Sequence, residues 1–383
     1  MTVRKVVFWS HLVCGVAVGL VVAVMSITGI LLAYELQITR LMETRVATET
    51  SGAPPLSADE IAILAVEQSG GRATSVTFSS DPAIPVAAGW GRSDTILLDP
   101  TTGAALSSDT AGAQAFFGAV MQVHRWLVPV FSREVGGAVT GVSNLVFLFL
   151  IASGAYLWLP RVWKWRMFRN NLFFRRDLPT ARARDFNWHH VFGVWALIPL
   201  LVIVISGTVI SYPWASNLIY SAYGEEAPAR RGPRDGSGMR GAGGSSGDVD
   251  LAPQGVTLQQ VVDSAAETDA GWNRITLTLP REGAETVAAM VDTGTGRQPA
   301  RQTTLVFSRD DGALVETQGI EDRSPASRVR LWMRFVHTGE YYGLLGQTIA
   351  AIASVASLVM VYTGLALSYR RLIRPLFRRR ASA

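Results

Sequence analysis

The chain has 383 residues, 49% of them hydrophobic and only 17% charged, where a soluble chain carries about 25% charged residues. Its single cysteine, Cys14, excludes an intramolecular disulfide, a cysteine-ligated zinc site and an iron–sulfur cluster, each of which needs several thiolates. The net charge of +5 would suit nucleic acid, but it sits beside long apolar runs: a membrane protein is expected, with the lipid bilayer as partner and no nucleic acid.

In chain order, residues 1–35 hold a first span, uncharged from Val6 to Tyr34 and longer than the about 20 apolar residues that cross the hydrocarbon. Arg4 and Lys5 precede it as in a signal peptide. The uncharged run is too long for a cleaved leader and no small-x-small cleavage site follows, so a retained anchor is expected. Residues 36–134 form an extramembrane segment. In it Leu56–Glu60 opens a short helix with Ser57 as N-cap, a strand follows at about 73–79, and Thr95–Ala104 reads as strand, glycine-closed turn and return strand. The second span is 135–160. A basic loop, 161–187, carries eight basic residues from Arg161 to Arg184 against Asp177 alone.

The third span is 188–212, and 213–340 is the second extramembrane segment. Its stretch Gly224–Asp250 has eight glycines in 27 residues and reads as a flexible loop, with a mobile flap over a substrate as the alternative. Thr257 then caps a second short helix, a strand follows at about 273–280, and Thr304–Ala313 repeats the strand–turn–strand pattern. The fourth span is 341–369, and the tail 370–383 holds six arginines and no acid. Basic residues stay on the cytoplasmic side, so both termini and the 161–187 loop belong there and the two long segments lie outside.

The two halves repeat each other. His11 and Gly15 of the first span recur as His189 and Gly193 of the third, four residues apart in both. Ser26-Ile27-Thr28-Gly29 recurs as Ile205-Ser206-Gly207, with glycines fourteen apart in both. His124 precedes a span ending Ser153-Gly154, and His337 one ending Thr363-Gly364. The fold expected is a four-helix transmembrane bundle built by internal duplication, carrying two small α+β extracytoplasmic domains. Parallel repeats of this kind pack about an axis along the membrane normal.

The chain has five histidines, all close to a membrane boundary. The repeat pairs His11 with His189 and His124 with His337; His190 is the alternative to His189. Two imidazoles facing each other without a carboxylate or thiolate suit a six-coordinate b-type haem, one per pair. Gly15 and Gly193, one turn after their histidines, would leave room for a flat ring. Trp9, Trp188, Phe192, Trp126 and Trp332 could wall the pockets or serve as interfacial anchors. The competing readings are solitary interfacial histidines and a two-histidine zinc site, which lacks the usual acidic third ligand. Covalent c-type attachment is excluded, for no Cys-x-x-Cys-His occurs.

These residues resemble the PepSY-associated transmembrane family of iron-regulated inner-membrane proteins. The resemblance rests on His11-x-x-x-Gly15, His189-x-x-x-Gly193 and above all His337-Thr338-Gly339-x-x-x-Gly343-Leu344-x-Gly346-Gln347. The extramembrane segments look like PepSY domains, and nearly the whole chain is covered apart from the glycine-rich loop and the basic tail. The stretch after His124-Arg125-Trp126 is longer than its counterpart after His337. The resemblance implies haem-based reduction of ferric siderophores in a Gram-negative periplasm. Electrons would enter at the His11/His189 haem and leave at the His124/His337 haem. The donor stays open between a quinol and a cytoplasmic reductase, since no nucleotide-binding Gly-x-Gly-x-x-Gly follows a strand. A siderophore or iron permease, and a non-enzymatic PepSY protein that binds a partner, are the other functions considered.

Overall fold

A computed structural model describes residues 2–45, 54–82, 84–91, 94–106, 110–160, 164–228, 248–252 and 254–375. Most of the expected flexible loop, Arg161 and the tail arginines Arg378, Arg379 and Arg380 lie outside the described residues. In chain order the elements are α1 (Val3–Ala33), α2 (Glu35–Arg45), α3 (Ala58–Gln68), β1 (Ser75–Ser79), β2 (Val86–Trp90), β3 (Asp94–Leu98), α4 (Thr110–Trp126) and α5 (Arg133–Trp158). There follow α6 (Trp165–Leu172), α7 (Ala181–Trp195), α8 (Leu197–Ser211), α9 (Pro213–Ala222), α10 (Leu258–Thr268), β4 (Arg274–Thr278), β5 (Thr286–Asp292), β6 (Gln302–Ser308), β7 (Leu314–Gln318), α11 (Pro325–His337) and α12 (Gly343–Leu372). They fall into two compact units. One is Met1–Glu35, Phe116–Glu225 and Val329–Ala383, and the other is Leu36–Ala115 and Glu226–Arg328.

The first unit is helical and is that of a membrane protein. Among the described residues three of its helices are long and apolar enough to cross a bilayer: α1, α5, and α12 with the short turn before it. The fourth candidate is α7 with α8, and here the expectation of one unbroken third span is corrected: the two meet at a 65° bend. Pro199 accounts for it. Proline has no N–H to donate to the carbonyl of Trp195 and its ring collides with that carbonyl, so α7 ends at Trp195 and Pro199 falls in the first turn of α8.

Small and polar side chains join the spans. The Ser26 hydroxyl donates to that of Ser357 at 3.0 Å, and Asn144 donates to the Val204 carbonyl at 3.0 Å and the Thr208 hydroxyl at 2.9 Å. Such bonds hold helices together where lipid removes the hydrophobic drive between them. Asp185, fully buried, ties α7 to α12 through Arg370 and also pairs with Arg184 of its own helix. The long glycine motif forms the corner between α11 and α12. Gly339 has φ +79°, a Cβ on Gly346 would lie 2.2 Å from the Gly339 carbonyl oxygen, and Gln347 donates to the last carbonyl of α1, Ala33, at 2.6 Å. At the corresponding corner after α4, a Cβ on Gly136 would lie 1.6 Å from the Trp126 carbonyl oxygen.

The second unit is an antiparallel sheet with helices. The two extramembrane segments, expected as separate small domains, contribute to one seven-stranded sheet in the order β3-β2-β1-β4-β5-β6-β7. Pairing of β1 with β4 joins them, with Val76 opposite Leu277 and a 3.0 Å hydroxyl bond between Thr77 and Thr276. A lone domain would leave β1 as a bare edge of unpaired N–H and C=O groups, and the second segment covers it. Ser57 and Thr257 cap α3 and α10, each within a capping box completed by Glu60 or Gln260. The two helices also cap each other: Asp59 accepts from the backbone N–H groups of Leu258 and Gln259, and Gln259 accepts from that of Ala58. Ile61, Val76, Leu98, Val261, Ile275, Leu277 and Leu305 form the shared core. The return strand expected after Gly103 is reduced, among the described residues, to a bridge between Leu98 and Ala105; β7 is its full-length counterpart.

Candidate functional site

The helical unit brings the histidines together in two pairs. The rings of His11 on α1 and His189 on α7 have centroids 6.5 Å apart, and so do those of His124, near the end of α4, and His337, the last residue of α11. From His11 to Thr28, which bonds His124, α1 climbs about 25 Å at about 1.5 Å per residue, so the pairs lie toward opposite ends of the bundle.

One local arrangement recurs at all four rings. Nδ1 of His11 lies 2.9 Å from the Ser153 hydroxyl, that of His189 3.0 Å from Thr363, that of His124 2.8 Å from Thr28 and that of His337 3.1 Å from Ser206. In every case the next residue is a glycine facing the same imidazole. A Cβ on Gly154, Gly364, Gly29 or Gly207 would lie 3.4, 3.4, 3.7 or 3.1 Å from Cε1 of His11, His189, His124 or His337 respectively. Each Ser/Thr-Gly step is therefore a socket for one imidazole. Sequence reasoning noted these steps as marks of a repeat but missed their role; the signal was a hydroxyl-glycine pair in each of four apolar runs that carry few other polar groups.

The remaining sequence-expected residues take varied places. Gly15 and Gly193 line a cavity of about 1750 Å3 together with His11, His189 and His190. A Cβ at Gly193 would meet the Met360 sulfur at 3.4 Å, and one at Gly15 would meet Leu150 at 3.9 Å. His190 turns back on its own helix, with Nδ1 2.9 Å from the Phe186 carbonyl and its ring 4.1 Å from that of Phe186. Trp9 lines the cavity beneath the Arg371 guanidinium. Trp188 and Phe192 line a different cleft with Phe174. Trp126 packs on Gly137 under Arg125 and Arg133, and Trp332 donates to the Tyr342 hydroxyl at 3.2 Å.

The donor set can be tested against the groups it could hold. Among the described residues no three histidine, cysteine or carboxylate side chains converge as a metal site would need. The imidazoles meet in twos, which suits an ion whose other positions are filled by a macrocycle. The 6.5 Å between ring centroids in each pair leaves room for one metal ion between the two imidazoles. The cavity beside His11 and His189 exceeds the roughly 300–1,000 Å3 that takes a drug-sized ligand. Its walls are apolar along the spans, and Arg4, Lys5, Arg182 and Arg371 add positive charge. The residues fit a haem with its two carboxylates.

No curated protein matches the chain. The sequence does match the family described as the PepSY-associated TM region over residues 8–371, so that the two histidine pairs, their Ser/Thr-Gly sockets and the sheet all fall within a protein that belongs to this family.

Proposed function

We propose that this chain is a membrane oxidoreductase that holds two b-type haems and passes one electron per iron from a quinol or a cytoplasmic reductant, which is oxidised, to a ferric siderophore, releasing Fe(II). The observation that carries the reading is the separation of the rings, 6.5 Å in both pairs, which would let the two imidazoles of each pair share one iron. His11 with His189 and His124 with His337 would be the ligands. His189 is preferred to His190 because its ring faces that of His11 at 6.5 Å, whereas the His190 ring lies against Phe186. Bound there, the haems would supply one-electron transfer across the bilayer.

The chain's own residues hold and insulate. The sockets orient the imidazoles, the apolar spans exclude water, and the basic side chains of the cavity balance the carboxylates of the macrocycle. Hard oxygen donors that grip Fe(III) hold Fe(II) less tightly, so reduction is sufficient for release. In this reading the membrane is the inner membrane of a Gram-negative cell. The basic termini and the 161–187 loop are cytoplasmic, and the sheet-bearing segments are periplasmic.

A duplication is part of the proposal. Two matched capping boxes support it, as do sockets of the same design in each half: the histidine of the first span bonds a hydroxyl of the second, and the histidine of the connecting helix bonds one of the first. The bend between α7 and α8 favours a second reading, a siderophore or iron permease, because broken helices line many transport sites.

A reduced-minus-oxidised spectrum of the detergent-purified protein, with haem counted per chain, separates the two. Two six-coordinate b haems that are reoxidised by a ferric siderophore are expected. A colourless protein, expressed with haem supplied, that moves labelled ferric chelate into vesicles would overturn the reductase in favour of the permease.

A further inference from the structure

The four socket hydroxyls share a second bond that decides where their protons lie. Thr28 donates to the Val24 carbonyl at 2.7 Å, Ser153 to Phe149 at 2.7 Å, Ser206 to Val202 at 2.7 Å and Thr363 to Val359 at 2.8 Å. A hydroxyl has one proton, and each of these is directed at the carbonyl four residues back in its own helix. With that proton given to the carbonyl, an oxygen lone pair faces the imidazole and the histidine nitrogen is the donor. At His337 a second group requires the same: the Ile203 carbonyl, which only accepts, lies 2.9 Å from Nδ1.

We propose that Thr28, Ser153, Ser206 and Thr363 are positioning residues that lock His124, His11, His337 and His189 in the tautomer protonated on Nδ1, leaving Nε2 of each for the iron. The tautomer lock stands on the hydrogen-bond geometry; its consequence for iron rests on the haem reading above. The partner of a ligand's outer N–H fixes ring orientation and raises ligand basicity. A neutral hydroxyl, itself donating elsewhere, does this more weakly than a carboxylate. It holds the ring without bringing a buried negative charge into the spans, which suits four sites within lipid. The glycine after each hydroxyl gives the ring room: a Cβ at Gly207 would crowd Cε1 of His337 at 3.1 Å, while one at Gly154, Gly364 or Gly29 would touch its ring at 3.4, 3.4 or 3.7 Å.

The test uses the full-length protein with Thr28→Val, Ser153→Ala, Ser206→Ala and Thr363→Val, and Thr28→Ser and Thr363→Ser as conservative variants. Solid-state 15N NMR of histidine-labelled protein in the reduced, diamagnetic state reads the tautomer with or without haem. Nδ1–H is expected at all four paired rings, and Thr28→Val should move the His124 Nδ1 signal and leave that of His11 in place. Potentiometric titration reads the second consequence. Losing the acceptor weakens the ligand's donation to ferric iron, so the potential of one haem should rise by about tenfold in the reduction equilibrium, about 59 mV for one electron, and Thr28→Ser should restore it. Ser206→Ala should give the smallest shift, because the Ile203 carbonyl still holds His337.

A proton on Nε2 at any of the four rings, or Nδ1 signals and potentials unmoved by hydroxyl deletion in a haem-loaded protein, overturns the proposal and leaves the proposed function intact. A haem-free protein with Nδ1–H at all four rings supports the lock and overturns the haem reading.

Discussion

The two histidine pairs meet one geometric demand by different backbone routes. His11 and His189 sit within α1 and α7 and face a large cavity, so their positions follow from how the spans pack. His124 and His337 sit near the ends of the connecting helices α4 and α11 and reach hydroxyls on α1 and α8. The ring separation is nevertheless the same, and so is the socket. Two kinds of scaffold thus converge on a single distance, as the proposed haem at each pair would require. It also means that the second pair depends on two tight corners that the first does not need.

The largest expected effect breaks the comparison outright. Replacing His124 or His337 by alanine should remove about half of the haem, and replacing His11 or His189 the other half, with His190→Ala losing neither; haem per chain and two-step redox titration report this. Next come the corners. Gly136→Ala drives a methyl into the Trp126 carbonyl and Gly346→Ala into that of Gly339. Each should cost about 1–3 kcal/mol of bundle stability and lower haem occupancy first at the His124/His337 pair. Thermal unfolding in detergent and haem content measure the two. Equal loss at both pairs would show that the corners serve the bundle as a whole.

The socket glycines allow a finer comparison. A methyl at Gly207 would stand 3.1 Å from His337 Cε1, against 3.7 Å for Gly29 and His124. Gly207→Ala should therefore weaken haem retention more than Gly29→Ala, which is near ordinary contact. Competition with a haem-binding apoprotein ranks them.

The smallest effect lies in the sheet unit. The Ala252 backbone N–H, then the buried Arg309 guanidinium, hold the Asp250 carboxyl below the ordinary carboxylate range. A depressed folded value means that its contribution is complete above the unfolded pKa of about 3.9 and is lost as pH falls through the lowered value. Acid titration should therefore unfold wild type with a steeper loss below about pH 4 than Asp250→Asn. Parallel curves would remove Arg309 and Asp250 from the account of that unit.

The bundle and the candidate ligands were legible in sequence to different depths. Spans announce themselves because uncharged runs of that length have no stable place in water, and the N-caps Ser57 and Thr257 because the capping box is a local pattern. The matched spacing of His11, Gly15, His189 and Gly193 was visible because a repeat preserves intervals. Which of His189 and His190 turns its ring toward His11 was not, since neighbouring residues on a helix differ by about 100° of rotation and only packing sets that angle. Nor was the fusion of two segments into one sheet. Any exposed strand edge can accept a partner, and pairing of Ser75–Ser79 with Arg274–Thr278 depends on how the intervening chain folds.

Composition and pattern alone thus determined that this is a membrane protein with apolar spans, which histidines deserve attention, and where its helices begin. Tertiary structure decided which hydroxyl meets which imidazole and which glycine faces which ring. Local sequence constrains one element's own dihedrals and polarity, and the bend at Pro199 belongs there, because the proline and the carbonyl it meets are four residues apart. The other two join groups that lie far apart in the chain, and so come into being only when the helices are packed.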